Sequence, residues 1–199
     1  MKLVAICGFQ GSGKDTIADK LIKQGYVRVS FASILKDVLS IMFSWDREIL
    51  EGLTKEARQK REIVDEWWSK KLNIPNFTPR YALQYIGTEV MRNHFHKDIW
   101  VLAMQRRLES LCDKKVVISD LRYENEIEML RSLDAEIFYV VRVKPTWFDN
   151  AKNGDLNVIP KTLHQSEWDW IKCCNEMTCI NNTSTIDDLH KTIENLILN

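Results

Sequence analysis

Long hydrophobic runs are missing from this chain of 199 residues: the first one, Leu3-Val4-Ala5-Ile6-Cys7, stops at Gly8. A bilayer helix needs about 20 apolar residues, so neither a signal-peptide core nor a membrane span is expected there, and the expected address is cytoplasmic. Charge of one sign is not in excess either. The 28 Lys and Arg balance 28 Asp and Glu, so no global field draws in polymeric nucleic acid or an acidic membrane. Any anionic ligand must be met by locally concentrated cations. Glycine (7) and proline (4) are scarce, and no linker, repeat or low-complexity tract interrupts the chain, which excludes a disordered or collagen-like protein. The five cysteines, Cys7, Cys112, Cys173, Cys174 and Cys179, are odd in number and lack CxxC spacing. They are expected to be ordinary free thiols. The length predicts one domain with a full core and leaves no room for a second catalytic domain.

What the sequence does contain is alternation. Leu3–Cys7, Val27–Phe31, Val116–Ile118, Ile137–Val141 and Thr178–Ile180 are short apolar runs rich in β-branched residues, the form of strands buried on both faces of a parallel sheet. Between them, apolar residues step by three and four, as in Val101, Met104, Leu108 and Leu111, and again in Ile186, Leu189, Ile193, Leu196 and Ile197. Those are amphipathic helices. Ser184-x-x-Asp187 reads as a capping-box variant opening the last of them. Five strands separated by helices predict a three-layer α/β/α fold with a mainly parallel five-stranded sheet, and ligands at the carboxyl ends of the strands.

Directly after the first strand comes Gly8-Phe9-Gln10-Gly11-Ser12-Gly13-Lys14-Asp15-Thr16, followed by a helix to about Lys23. A strand, a glycine-rich turn and a helix form a phosphate-binding loop: glycines admit positive φ, successive N–H groups point inward, and the lysine reaches the β and γ oxygens. The order GxxGxG is not the dinucleotide fingerprint, and Ser30 to Ser33 stand where that fold places an acid, so NAD binding is set aside. Where Ser or Thr ordinarily follows the lysine, this chain has Asp15, with Thr16 one place later. Asp15 holds a metal through water, meets an arginine, or simply favours the positive end of the helix. Thr16 is the stronger phosphate contact.

Val116-Val117-Ile118-Ser119-Asp120 is an apolar strand ending in a carboxylate, with Arg122 two residues on. That is the form of a Walker-B element that orients Mg²⁺ beside a cation for phosphate oxygens. Alternatively Asp120 caps the following helix and Arg122 pairs with Glu126. Arg142 ends the fourth strand, again at the carboxyl edge. Arg80 and Arg92 bracket a segment of Tyr81, Gln84, Tyr85, Gly87 and Thr88, which suits a base and a phosphate or else a tyrosine-lined packing helix.

Taken together, these residues resemble a deoxynucleoside monophosphate kinase of the bacteriophage and large DNA virus type, within the P-loop nucleoside monophosphate kinase fold. The likeness rests on Gly8 to Thr16, Ala32 to Asp37, Ser119-Asp120-Leu121-Arg122, Val140-Val141-Arg142, His164-Gln165-Ser166-Glu167 and Ile180-Asn181-Asn182. Its most discriminating piece is Leu83-Gln84-x-x-Gly87-Thr88-Glu89-x-x-Arg92, followed by Trp100-Val101. The resemblance implies ATP as phosphoryl donor, Mg²⁺ as metal and a deoxynucleoside monophosphate as acceptor, in DNA-precursor synthesis in the host cytoplasm if viral. It further implies that Gly11, Gly13, Lys14 and Thr16, with Ser12 and Asp15 in the same loop, hold the ATP phosphates. Asn182 would lie near adenine, and Thr16 and Asp120 would hold the metal directly or through water. Lys36, Arg80, Gln84, Gly87, Thr88 and Arg92 would form the acceptor pocket, within an insertion at about 33–100. Lys14, Asp120, Arg122 and Arg142 would carry the transfer, and residues 144–168 would form a lid over the phosphates.

Residues Trp45 to Pro79 carry mixed charges at helical spacing, read as solvated helix faces, and leave the accepted base open. His164 contacts substrate or serves structure. The seven tryptophans suit a core or a homodimer interface. Two rival functions stay open. Animal-type phosphomevalonate kinase is similar in the SGKD, SD-x-R and VRV elements, although its acceptor has no base to stack. A non-catalytic nucleotide-binding switch would need only the loop.

Overall fold

The computed structural model describes residues 2–198. The chain forms two compact units, Met1–Phe31 with Val101–Asn199, and Ala32–Trp100.

The first unit is built on five parallel strands, β1 (Lys2–Cys7), β2 (Tyr26–Val29), β3 (Lys115–Ile118), β4 (Glu136–Val141) and β5 (Thr178–Asn181), in the order β2-β3-β1-β4-β5. This is the parallel α/β sheet expected. β1 is central, and Leu3 through Cys7 are all buried, which is why the run reads as apolar without alternation. Helices α1 (Lys14–Lys23) and α10 (Ile186–Ile193) cover one face: Ile17, Leu21, Leu189 and Ile193 pack with Val4, Ile6, Val117, Phe138, Val140 and Ile180. Each such buried side chain contributes about 2 kcal/mol of transfer free energy. Because side chains alternate along β4, Tyr139 points to the opposite face. There its ring meets Phe148 and Trp170, which in turn surround Phe9 at centroid distances of 5.2–5.7 Å. Phe148 belongs to the short α9 (Phe148–Lys152), and Trp170 to a 3₁₀ helix over Asp169–Glu176.

All five strands shift by one residue at one end from the sequence expectation, and two departures, at the end of β2 and at the cap of α10, have a visible cause. β2 stops at Val29 rather than Phe31, because Ser30 Oγ and the Phe31 N–H both donate to Asp120, at 2.7 and 3.1 Å. The capping box of α10 uses Thr185 and Asp188 instead of Ser184 and Asp187: the Asp188 N–H donates to Thr185 Oγ1 at 3.2 Å, and the Asp188 carboxylate accepts in return from Thr185.

The second unit contains α2 (Ser33–Phe43), α3 (Arg47–Glu51), α4 (Lys55–Lys60), α5 (Glu66–Leu72), α6 (Pro79–Gln84) and a π-helix over Tyr85–Phe95. The four short helices are each started by a side-chain oxygen, from Asp46, Thr54, Asp65 and Thr78 in turn. Such a cap is worth about 1 kcal/mol. Their core is aromatic: Phe43 stacks on Trp45 at 4.5 Å and meets Trp68 and Phe77 at 5.0 and 5.3 Å. Helix α7 (Ile99–Glu109) returns to the first unit, where Met104 and Leu108 are buried as their spacing predicts, and α8 (Glu124–Ser132) packs on β4.

Candidate active site

The glycine loop leaves β1 at Cys7 and enters α1 at Lys14. At two of its glycines no other residue fits. Gly8 has φ 138°, and a Cβ there would lie 2.5 Å from the Val140 carbonyl oxygen; Gly13 has φ 105°, and a Cβ would lie 2.3 Å from Asn182 Nδ2. That amide is a brace, since Asn182 Nδ2 donates to the Ser12 carbonyl at 2.8 Å, and the Asn182 N–H donates to Val141 at 2.7 Å. The end of β5 thus holds the loop in shape. No side chain caps the N-terminus of α1, which leaves its first N–H groups to water or to an anion. Ser12 Oγ is buried, with no hydrogen-bond partner among the described residues.

Lys14 Nζ donates to the Gly8 and Phe9 carbonyls at 2.8 and 2.7 Å, folding back over the loop. Burial, helped by the nearby Arg122 cation and opposed by Asp15, lowers its pKa from 10.5 to about 8. An anion at the loop would offset both causes and push the pKa back up. Thr16 is half-buried in the same first turn.

Asp120 follows β3 and accepts from Ser30 and Phe31 as above. Arg122 forms an ion pair with Glu167 at 3.0 Å and donates to the Ser166 carbonyl at 2.9 Å. Burial opposes its charge, but Glu167, Asp120 and Glu126 outweigh burial and hold its pKa up. The expected alternatives for this segment resolve differently. Arg122 pairs through its side chain with Glu167, and it is the Arg122 main-chain N–H that donates to Glu126, at 2.9 Å. Glu126 also accepts from the Tyr123 N–H at 3.2 Å. Asp169 reaches the start of α8 from the other side, accepting from the Glu124 N–H at 3.1 Å. Lys14, Asp15, Asp120 and Arg122 are therefore one electrostatic cluster. Arg142 stands exposed past β4. His164 Nδ1 bonds to Ser166 Oγ at 2.8 Å and starts the 3₁₀ turn that carries Glu167.

In the second unit, Lys36, Arg80, Gln84, Gly87, Thr88 and Arg92 fall on α2, α6 and the π-helix. Lys36 is paired with Glu51 at 2.8 Å, and Glu51 with Arg47 at 2.5 Å. Although burial works against it, the two cations keep the Glu51 carboxyl below its ordinary range. Gly87, Thr88 and Arg92 are buried, and Arg92 donates to the Lys97 carbonyl at 3.3 Å. The wider turn of a π-helix sets residues four and five apart side by side, and such turns concentrate at functional sites. The Trp100 indole N–H donates to the Gly87 carbonyl at 2.8 Å, and a Cβ on Gly87 would lie 2.7 Å from Leu35. Tyr81 and Tyr85 stack on each other at 5.5 Å, both exposed.

Three residues that touch these groups escaped the sequence reading: Arg28, which bonds to Asp15; Glu167 as the partner of Arg122; and Glu51 as the partner of Lys36. Only Arg28 left a signal, a charge in the middle of the β-type run Val27-Arg28-Val29.

The sequence profile of a family described as deoxynucleotide monophosphate kinase matches residues 53–193. The chain belongs to this family. Among its relatives, a protein of Acanthamoeba polyphaga mimivirus provisionally named deoxynucleotide monophosphate kinase is 30% identical over 154 residues, covering 71% of this chain and 75% of the relative. The deoxynucleoside-5′-monophosphate kinase of Escherichia phage T5 is 26% identical over 178 residues, covering 65% and 71%. A solved structure, dephospho-CoA kinase from Campylobacter jejuni, superposes with a TM-score of 0.53 at 16% identity over 100% of this chain and 96% of that one. That likeness bears on the fold, a P-loop kinase α/β fold. As a member of the deoxynucleotide monophosphate kinase family, the chain is a nucleotide-binding, ATP-dependent kinase.

Proposed function

We propose that this kinase transfers the γ-phosphoryl group of ATP directly to a deoxynucleoside 5′-monophosphate, giving ADP and the deoxynucleoside diphosphate. The observation that carries the donor half is the glycine loop: a helix N-terminus without a side-chain cap, backbone braced by Asn182, and a half-buried lysine whose pKa is lowered by burial and by the Arg122 cation. Membership of the family carries the acceptor half.

In this reading the N–H groups of Gly11 to Thr16 cradle the ATP phosphates, and Asn182 borders the adenine end. Lys14 exchanges its two carbonyl partners for phosphate oxygens and regains its proton affinity. Phosphoryl transfer spreads charge over three oxygens, so the protein's part is positioning and cationic stabilisation, supplied by Lys14, Arg122 and Arg142. The Thr16 hydroxyl and the Asp120 carboxylate are hard oxygen donors that would hold Mg²⁺ directly or through water. When bound, Mg²⁺ neutralises phosphate charge and orients the oxygens. Lys36, Arg80, Gln84, Gly87, Thr88 and Arg92 take the acceptor. Residues 144–168 act as a lid that excludes water, anchored by the buried Phe148, Ala151 and Ile159 and exposed at Asn153-Gly154-Asp155. The enzyme works in the cytoplasm, as a monomer or homodimer, without nucleic acid or membrane. No helix among the described residues is long and apolar enough to cross one.

ADP release measured with ATP-Mg alone, with each deoxynucleoside monophosphate and with phosphomevalonate tests the reading. Stimulation by at least one deoxynucleotide is expected. Stimulation only by phosphomevalonate, or by no acceptor, would replace it with the small-molecule kinase or the switch.

A further inference from the structure

Asp15 is the anomaly of the loop, a carboxylate fixed next to the lysine where ATP's negative phosphates are to lie. Left bare, it would repel them. The structure shows what meets it. Arg28, in edge strand β2, directs its guanidinium to three acceptors: it bonds to Asp15, approaches Asp19 at 3.6 Å and donates to Ser119 Oγ at 2.8 Å. Asp15 and Asp19 are one turn apart on α1, so one cation serves both. Ser119 is buried and immediately precedes Asp120, so the same guanidinium spans the first turn of α1 and the end of β3.

We propose that Arg28 is a positioning residue for phosphoryl transfer: it neutralises Asp15 beside the phosphate loop and ties the first turn of α1 to the strand end that carries Asp120. The inference rests on the reading of this loop as the ATP site. Its chemistry explains the residue type. A planar guanidinium has N–H donors in a fixed fork and serves a carboxylate and a hydroxyl at once, whereas an ammonium is a point charge on a flexible stem. It also accounts for Asp15 itself, whose carboxylate is an anchor for α1 held by Arg28.

Calorimetric titration of ATP without Mg²⁺ into wild type, Arg28→Ala, Arg28→Lys, Asp15→Asn and the double variant Arg28→Ala/Asp15→Asn isolates this role from folding and from catalysis. Arg28→Ala should weaken ATP binding about tenfold, because an uncompensated charge is left near the phosphates, and Arg28→Lys about threefold. In the double variant affinity should return to within about twofold of Asp15→Asn, since the offending charge is gone. A merely structural arginine would not be rescued in this way. Wild-type affinity in Arg28→Ala, or a double variant as weak as Arg28→Ala, would overturn the proposal. Should Arg28→Ala fail to melt cooperatively, Arg28→Gln takes its place in the same comparison. A wild type that binds ATP but phosphorylates no deoxynucleotide would sink the proposed function and leave the Arg28 comparison standing; a wild type that binds no ATP would end both.

Discussion

The glycine loop of the first unit and the acceptor residues of the second, Lys36 and those within Arg80–Arg92, are both proposed to handle phosphate, and they are built from opposite materials. The loop offers mainly backbone: uncapped N–H groups, glycines at positive φ and one lysine folded onto carbonyls. The acceptor residues offer side chains, and these are already engaged, Lys36 with Glu51 and Arg92 with the Lys97 carbonyl. A site made of backbone is shaped before its ligand arrives. The engaged side chains of the acceptor residues must exchange partners when a ligand binds, as Lys14 alone must do in the loop.

That contrast can be broken, most severely at Lys14. Lys14→Ala should lower kcat by about 10² or more if the ammonium stabilises charge in the transition state, and steady-state kinetics with thermal melting separates this from unfolding. Near-normal kcat would remove Lys14 from the chemistry. On the other side, Arg92→Ala should raise the acceptor KM by about tenfold while leaving the KM for ATP alone. A shift in the ATP KM instead would place Arg92 with the donor.

The glycines sharpen the comparison at a smaller scale. Gly13→Ala places a Cβ against Asn182 at a backbone angle that side chains rarely adopt, and should cost about 2–3 kcal/mol of stability together with ATP binding. Gly11→Ala, where φ is 76° but nothing lies within 4 Å, should cost only about 1–2 kcal/mol. Denaturant melts of the pair read the difference, and equal losses would mean that the Asn182 brace is not what shapes the loop.

The smallest effect is in protons. The Lys14 pKa is lowered to about 8 from 10.5, so between those values the unfolded chain binds more protons and this group's contribution makes stability rise with pH. Phosphate raises the pKa back, so ATP binding should take up a fraction of a proton above about pH 8, and affinity should fall as pH rises further. Calorimetry at about pH 8.5 in two buffers of different ionisation enthalpy detects the uptake. Identical heats would show that the phosphates do not touch Lys14.

What was legible in the sequence follows the same division. The sheet was legible because five doubly buried strands have no polar face to confuse the pattern, and the loop because positive φ and close backbone approach leave glycine as the residue that fits. Partners were not. Arg28, Glu167 and Glu51 are distant in sequence from Asp15, Arg122 and Lys36 or separated from them by a turn of chain, and ordinary charged residues leave no spacing that marks a pair. The π-helix over Tyr85–Phe95 was hidden as well, because backbone bonds between residues five apart leave no side-chain pattern that marks them in the sequence. Even the end of β2 was decided by a tertiary contact, the carboxylate of Asp120.

The central claim is that phosphate leaves ATP in the loop and arrives on a deoxynucleotide. Incubation with ATP labelled at the γ-phosphate and each deoxynucleoside monophosphate tests it most directly. Label should appear in the deoxynucleoside diphosphate, one for each ADP formed, with little free phosphate. Label released as inorganic phosphate, or retained in ATP with every acceptor, would contradict the account.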